Sequence, residues 1–396
     1  MSEFTEHPTG RTDTDAVHCG ERRWRGTVTT PIAYSSTFVF KDMAEVRAYG
    51  TGKAAHYEYG RYGNPTREAG EIKLAALEGA ERCLLFDCGM SAVTGTILAH
   101  CSQNDHVVIT DDAYKQTLVF VDKVLPRFGI ESTVVPMGDY EAMADAVQSE
   151  TVMIISESPT NPYLNIVDVD EVVRIARERD VLTVIDSTFA TSYNQKALRQ
   201  GADLSIGSTT KYLGGHNDML GGYVCGSDKL LEPINQWRRM TGGVIDPMSS
   251  YLLLRGLKTF GLRMERLNTT AQQVAEFLDS HPKVRKTYYP GLPSHRHHEL
   301  AKRMMRGFGA VVTFEINGDL DDTMAFFDAL TLCLLAPSFG GPETLITHPA
   351  LMSYYRETRE QRYALGIIDE LVRLSVGLED PQDIIADLER GLAQVR

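Results

Sequence analysis

Val181-Leu182-Thr183-Val184-Ile185-Asp186, followed by the unit from Ala202 to Thr210 and then Lys211-Tyr212-Leu213-Gly214-Gly215-His216, is the stretch on which the fold turns. A short β-branched run that ends in one acid reads as a buried strand. The next unit is again strand then turn, and it delivers a lysine just past its end. The same alternation extends outward from this pair across residues 63–257. Helical stretches at 66–77, 92–101, 117–128, 140–148 and 168–179 separate apolar strands at 83–86, 106–109, 131–135, 152–156, 182–186, 204–207 and 222–225. Alternating βα units predict an α/β fold with a central, mainly parallel sheet and helices on both faces. Ligands of such sheets sit at the carboxyl ends of the strands.

The chemistry at those ends is specific. Lys211 is flanked by Ser208, Thr209 and Thr210 and followed by paired glycines. Its amine can form a Schiff base with an aldehyde cofactor, and the hydroxyls can take that cofactor's phosphate. Asp186 can pair with the protonated ring nitrogen of pyridoxal 5'-phosphate (PLP), although an acid there can also cap the next segment. Cys88-Gly89-Met90-Ser91-Ala92 is a small-residue turn opening a helix, which offers free N–H groups to a phosphate. Tyr114, after the strand at 106–109, can lie against a pyridine ring or simply pack.

Further motifs complete a family pattern. Tyr57-Glu58-Tyr59-Gly60-Arg61-Tyr62-Gly63-Asn64-Pro65-Thr66, Glu157-Ser158-Pro159-Thr160-Asn161-Pro162, Ser208 to Asp218, Tyr289-Pro290-Gly291-Leu292-Pro293-Ser294-His295 and Arg373-Leu374-Ser375-Val376-Gly377-Leu378-Glu379-Asp380 occur in that order. From about His18 onward the chain resembles the PLP enzymes of cysteine and methionine transsulfuration, which include γ-synthases, γ- and β-lyases and methionine γ-lyase. The resemblance implies PLP fold type I, the aspartate-aminotransferase-like fold, with a smaller α+β C-terminal domain. It implies that Lys211 carries the cofactor, that Gly89, Met90, Ser208 and Thr210 hold its phosphate, and that Tyr114 stacks on the ring while Asp186 holds its nitrogen. It implies that Asn161 and Arg373 meet the ring hydroxyl or the substrate carboxylate, and that Ser338 lies near the lysine. Tyr59 and Arg61 would reach the phosphate of a neighbouring subunit in a homotetramer built as a dimer of dimers. Glu58 beside them would attract the amine of an incoming cysteine.

Composition bounds the rest. The 396 residues suit a large domain and a smaller one. The expected division is an N-terminal segment at 1–62 making inter-subunit contacts, a PLP-binding domain at 63–257 and a C-terminal domain at 258–396. The first segment reads as irregular, with a disordered polar lead at 1–15. A net charge of −13 argues against nucleic acid, and no apolar run approaches the roughly 18 residues of a membrane span. Six scattered cysteines without a CxxC pair support neither a metal site nor a disulfide framework, and fit a reducing cytoplasm. His295, His297 and His298 read as solvated loop residues. One long helical pattern at 248–280 carries Arg255, Lys258, Arg263 and Arg266, read as a solvated or interface face. A strand at 310–316, a helix at 320–329 and a strand at 371–375 follow.

Three departures bear on specificity. Leu335-Ala336-Pro337-Ser338-Phe339-Gly340-Gly341 has proline where many relatives carry glutamate, and with Pro349-Ala350-Leu351-Met352-Ser353-Tyr354 it resembles plant γ-synthases. Lys115-Gln116 replaces the paired glycines usual after the tyrosine, and Gln116 stands where the plant enzymes place a lysine. Val119 replaces a polar residue. The reaction expected is γ-replacement on an activated homoserine with cysteine as nucleophile. A γ-lyase is the near alternative, and a non-catalytic PLP-binding homologue or a simple aminotransferase the distant ones.

Overall fold

The computed structural model describes residues 8–396. Seven strands form the first sheet: β1 (Arg82–Phe86), β2 (His106–Thr110), β3 (Glu131–Val135), β4 (Thr151–Glu157), β5 (Leu182–Asp186), β6 (Leu204–Ser208) and β7 (Gly222–Gly226). Their order is β1-β7-β6-β5-β4-β2-β3. All are parallel except β7, which runs against both neighbours. Helices cover both faces, so the strands are apolar without alternation. Val107 and Ile109 pack with Leu84 and Val184 on one face, while Val108 between them packs with Ile154 on the other.

The helix Pro65–Glu78 shows how local sequence sets the elements. Asn64 Oδ1 accepts from the N–H groups of Thr66 and Arg67, Pro65 occupies the first turn, and Gly79 closes the helix at φ +75°. An acceptor side chain, a residue with no N–H and a left-handed glycine suit those three places.

The second sheet contains β8 (Val284–Tyr288), β9 (Val311–Ile316), β10 (Leu334–Leu335), β11 (Leu345–Thr347) and β12 (Leu371–Ser375), ordered β10-β11-β12-β9-β8. Arg373 lies opposite Thr347 on one side and Thr313 on the other.

Several expectations change. The single helix at 248–280 is two, Pro247–Leu257 and Phe260–Ser280. The break is fixed by Arg263, which is buried rather than solvated and donates to the carbonyls of Tyr212, Leu213 and Gly256. Lys258 pairs with Glu21 at 3.1 Å. His295 and His297 are packed in rather than solvated: Ile166 N donates to His297 Nδ1, and burial pushes both imidazoles down to about 4. The segment before residue 63 is less irregular than expected, with helices at Thr12–His18 and Met43–Gly50. Residues 1–7 of the expected disordered lead lie outside the described residues. Its remainder is anchored: Asp15 is buried and accepts from Thr9 N and Gly10 N, and the buried Lys73 donates to Ala16 O and pairs with Glu21. Among the described residues no helix is long and apolar enough to cross a membrane.

Candidate active site

Five segments meet at the carboxyl edge of the first sheet. β4 ends at Glu157 and β5 at Asp186, paired in register. β6 ends at Ser208, the helix Gly89–His100 opens just past β1, and Tyr114 follows β2. Asp186 Oδ1 accepts from Thr188 N at 2.9 Å and Thr188 Oγ1 at 2.6 Å, and Thr188 Oγ1 accepts in turn from Ser208 N at 2.9 Å. Glu157 Oε2 accepts from Tyr114 N at 2.7 Å. Burial raises both acids, and for Glu157 the neighbouring Asp186 adds to the rise.

Lys211 sits on the return between β6 and β7. The excursion is closed by Thr209 N donating to Gly221 O and Gly221 N donating to Thr210 Oγ1. Lys211 Nζ donates to Ser338 Oγ at 2.6 Å and stands 5.0 Å from the Phe339 ring centre. Burial, and then the positive Arg373 nearby, push the ammonium down to about 8. The loop that brings Ser338 needs glycine at 340: φ is +87°, and a Cβ there would stand 2.7 Å from Tyr212 N. Arg373 Nη1 donates to Asn161 Oδ1 at 3.2 Å and Nη2 to Ser338 O at 3.1 Å. Its Nε is buried without a hydrogen-bond partner.

These features fit PLP and an amino-acid substrate. Gly89 and Met90 open their helix with N–H groups that precede its first internal bonds. A Cβ on Gly89 would lie 3.0 Å from Ser208 Cβ, so glycine lets the helix start and the end of β6 approach closely and leaves the N–H groups there uncovered by a side chain. Asp186 Oδ2 accepts no hydrogen bond from the described residues and suits a ring N–H. The unused Nε of Arg373 suits a carboxylate. A base with a lowered pKa beside a cationic carboxylate receptor, with an acid placed for a ring nitrogen, can support proton transfer at carbons next to an amine.

The structure therefore brings together Lys211, Ser208, Thr210, Gly89, Met90, Asp186, Tyr114, Asn161, Ser338 and Arg373. It holds three expected residues apart within one chain. Glu58 accepts from Tyr49 OH, Arg61 donates to Arg239 O, and Tyr59 lies half-exposed beside the Arg61 guanidinium. Gly214 and Gly215, after the lysine, permit close packing: a Cβ on Gly215 would collide with the Arg263 guanidinium, and a Cβ on Gly256 would collide with Gly214 O. Sequence reasoning missed Thr188, which ties Asp186 to Ser208. Its signal was a hydroxyl two residues past an acid, the spacing of an Asx-type turn. It also gave Glu157 no role, though that residue opens one of the quoted motifs.

Residues 13–393 match the family described as Cys/Met metabolism PLP-dependent enzyme. The chain is 47% identical over 384 residues to cystathionine gamma-synthase 1, chloroplastic, of Arabidopsis thaliana, covering 96% of this chain and 68% of that protein. It is 42% identical over 386 residues to L-methionine gamma-lyase of Fusobacterium nucleatum subsp. polymorphum, covering 96% and 98%. The crystal structure of cystathionine gamma-lyase from Lactobacillus plantarum complexed with L-serine superposes with a TM-score of 0.90 at 38% identity, covering 97% of this chain and 99% of that one.

Proposed function

The chain belongs to the Cys/Met metabolism PLP-dependent enzyme family, and from that premise we propose that it catalyses γ-replacement on an O-acylated homoserine, with cysteine as the incoming nucleophile. The observation that carries this reading is the uncharged wall beside the lysine. Ser338 binds Lys211 Nζ, and the residue before it is Pro337 rather than a carboxylate. A neutral wall repels an acyl leaving group less than glutamate would, and proline stiffens it. The similarity to the Arabidopsis γ-synthase supports the same reading.

When bound, PLP supplies an electron sink for negative charge developing on the substrate carbons. The residues do the rest. Arg373 binds the substrate carboxylate through its unused Nε and is held in place by Asn161 and Ser338. Lys211, whose ammonium burial and Arg373 push down to about 8, carries protons from Cα and Cβ one at a time, giving up the first before taking the second, while the acyl group leaves Cγ as a carboxylate and the cysteine sulfur takes its place. Ser338 Oγ orients the amine between these transfers. Asp186 would hold the ring nitrogen, and Glu157 fixes the backbone of Tyr114, whose ring would stack on the cofactor. Ser208, Thr210, Gly89 and Met90 hold the phosphate.

Site completion requires a second copy in this proposal. Glu58, Tyr59 and Arg61 serve the neighbouring subunit in a tetramer of two close dimers. The exposed Trp24, Val28, Tyr34, Val39 and Met43 of the same segment supply apolar surface for that contact. In the same reading the chain divides at about residues 62 and 257, and its six free thiols suit the reducing cytoplasm. A second reading, elimination at Cγ by a lyase, is favoured by the 42% identity to L-methionine gamma-lyase.

The deciding experiment measures kcat/KM for O-acetyl-, O-succinyl- and O-phosphohomoserine, cystathionine and methionine, each with and without cysteine. Cystathionine formation from an acyl ester is the expected result. Release of 2-oxobutanoate that dominates even at saturating cysteine replaces the synthase with the lyase.

A further inference from the structure

Lys115 opens the helix Lys115–Lys123 directly after Tyr114, so its side chain starts at the rim of the lysine pocket. Its charge is fully engaged. Nζ donates to Glu357 Oε1 at 2.7 Å and to Ser353 O at 3.0 Å, and it stands 4.2 Å from the Tyr354 ring centre. Ser353, Tyr354 and Glu357 follow β11 in the chain, so the contact ties the rim of the first sheet to the second. Both partners are about three-quarters covered, with side-chain exposures of 29% and 26%. The hydrogen bond from Lys115 holds the Glu357 carboxyl below its ordinary range.

The other cations of the pocket are committed elsewhere. Arg373 binds Asn161 and Ser338, and Lys211 serves the chemistry. The wall Ala336-Pro337-Ser338 is uncharged, and Gln116 beside Lys115 is neutral. A dianionic leaving group on this rim would need Lys115, and Glu357 cancels it. Charge matching across a partly desolvated contact selects partners more than it adds raw affinity.

We propose that Glu357 is a specificity-determining residue: by holding Lys115 in a neutral pair at the rim, it sets a preference for an uncharged acyl ester over a phosphate ester at Cγ. This rests on the reading of the reaction as displacement at Cγ of an activated homoserine. Lys115 is thereby a latent phosphate receptor that one substitution releases.

The test uses the holoenzyme and four proteins: wild type, Glu357→Gln, Lys115→Gln and the double variant. The readout is the ratio of kcat/KM for O-phosphohomoserine to that for O-acetylhomoserine. Glu357→Gln is expected to raise the ratio about tenfold, the effect of one unmasked charge on a phosphate. The double variant returns it to the wild-type value, and Lys115→Gln alone shifts it by less than about twofold. A merely structural contact would change both esters together and leave the ratio still. An unchanged ratio in Glu357→Gln overturns the proposal. So does a selective loss of the phosphate ester in Lys115→Gln, which would mean that the lysine already binds it. Dissociation constants for 2-amino-5-phosphonopentanoate, in which CH2 replaces the ester oxygen, separate the two levels. If no homoserine ester is turned over by any variant, the reaction reading fails. Tighter phosphonate binding by Glu357→Gln than by wild type then still supports masking by Glu357, and equal binding sinks it.

Discussion

Glu157 and Asp186 end neighbouring parallel strands in register, so two carboxyls share one dry corner of the sheet. Like charges so placed do not both ionise readily. Glu157 takes the larger rise, from burial first and Asp186 second, and its Oε2 is spent on the N–H of Tyr114. Asp186 keeps Oδ2 free. Glu157 thus braces the backbone that carries Tyr114, and Asp186 remains available to a cationic nitrogen.

Lys211→Ala should lose turnover by at least about a thousandfold, the scale of one positioned general base. Borohydride treatment of the yellow wild-type protein should fix the cofactor to the peptide containing Lys211. Peptide mapping checks this, and label on another lysine rejects the assignment.

Arg373→Lys keeps the charge but loses the planar fork. Because Asn161 and Ser338 hold the guanidinium from two sides, lysine cannot replace its geometry. The expected result is a fall in kcat/KM of about one hundredfold, carried mostly by KM, consistent with a charge-assisted pair worth ~3 kcal/mol. Steady-state kinetics on the preferred ester decides. A kcat-only effect would place Arg373 in the chemistry instead.

Mixing Lys211→Ala and Arg61→Ala subunits, each inactive alone, should restore activity through hybrid sites that take Lys211 from one copy and Arg61 from the other. Sedimentation run alongside should show assembly. A fully active monomer refutes shared sites.

Glu78 is wholly buried, where Tyr223 OH and Ser205 Oγ donate to it, and burial pushes its carboxyl up to about 7. A raised folded value means that the native state prefers the protonated form. The cost of ionising it is absent below about pH 4.5, grows as pH rises, and is complete above about 7, at ~3 kcal/mol. Glu78→Gln should therefore gain stability relative to wild type between pH 5 and 8, and match it near pH 4. Denaturant melts of both proteins at three pH values check the sign. A gap that narrows with rising pH contradicts it.

Much of this site was legible because strand ends announce themselves. An apolar run stopping at Asp186, and a hydroxyl-flanked lysine one unit later, place two reactive groups on one edge without any knowledge of contacts. The residues that escaped reading act through partners distant in sequence. Thr188 matters because Ser208 reaches back to it, and Glu357 matters because Lys115 lies 242 positions earlier. Arg263 looked like a surface residue because its helical neighbours are charged, and only the carbonyls of Tyr212 and Leu213 explain its burial. Gly214 and Gly215 are hard to read for the same reason: the absence of a side chain permits motion or close approach, and here the facing Arg263 and Gly256 show close approach.

The lone antiparallel strand β7 has an evolutionary consequence. By returning directly beside β6, it closes the Lys211 excursion within residues 208–222, so the lysine and its flanking hydroxyls Ser208 and Thr210 come from one contiguous piece of chain. Ser338 and Arg373, proposed above to serve the substrate, and Glu357, which holds Lys115, come from a different stretch. Heritable change in what the enzyme accepts can accumulate in that later stretch while the anchor stays intact. Such a division of the gene lets one ancestral scaffold diversify into replacement and elimination catalysts without re-inventing its cofactor chemistry.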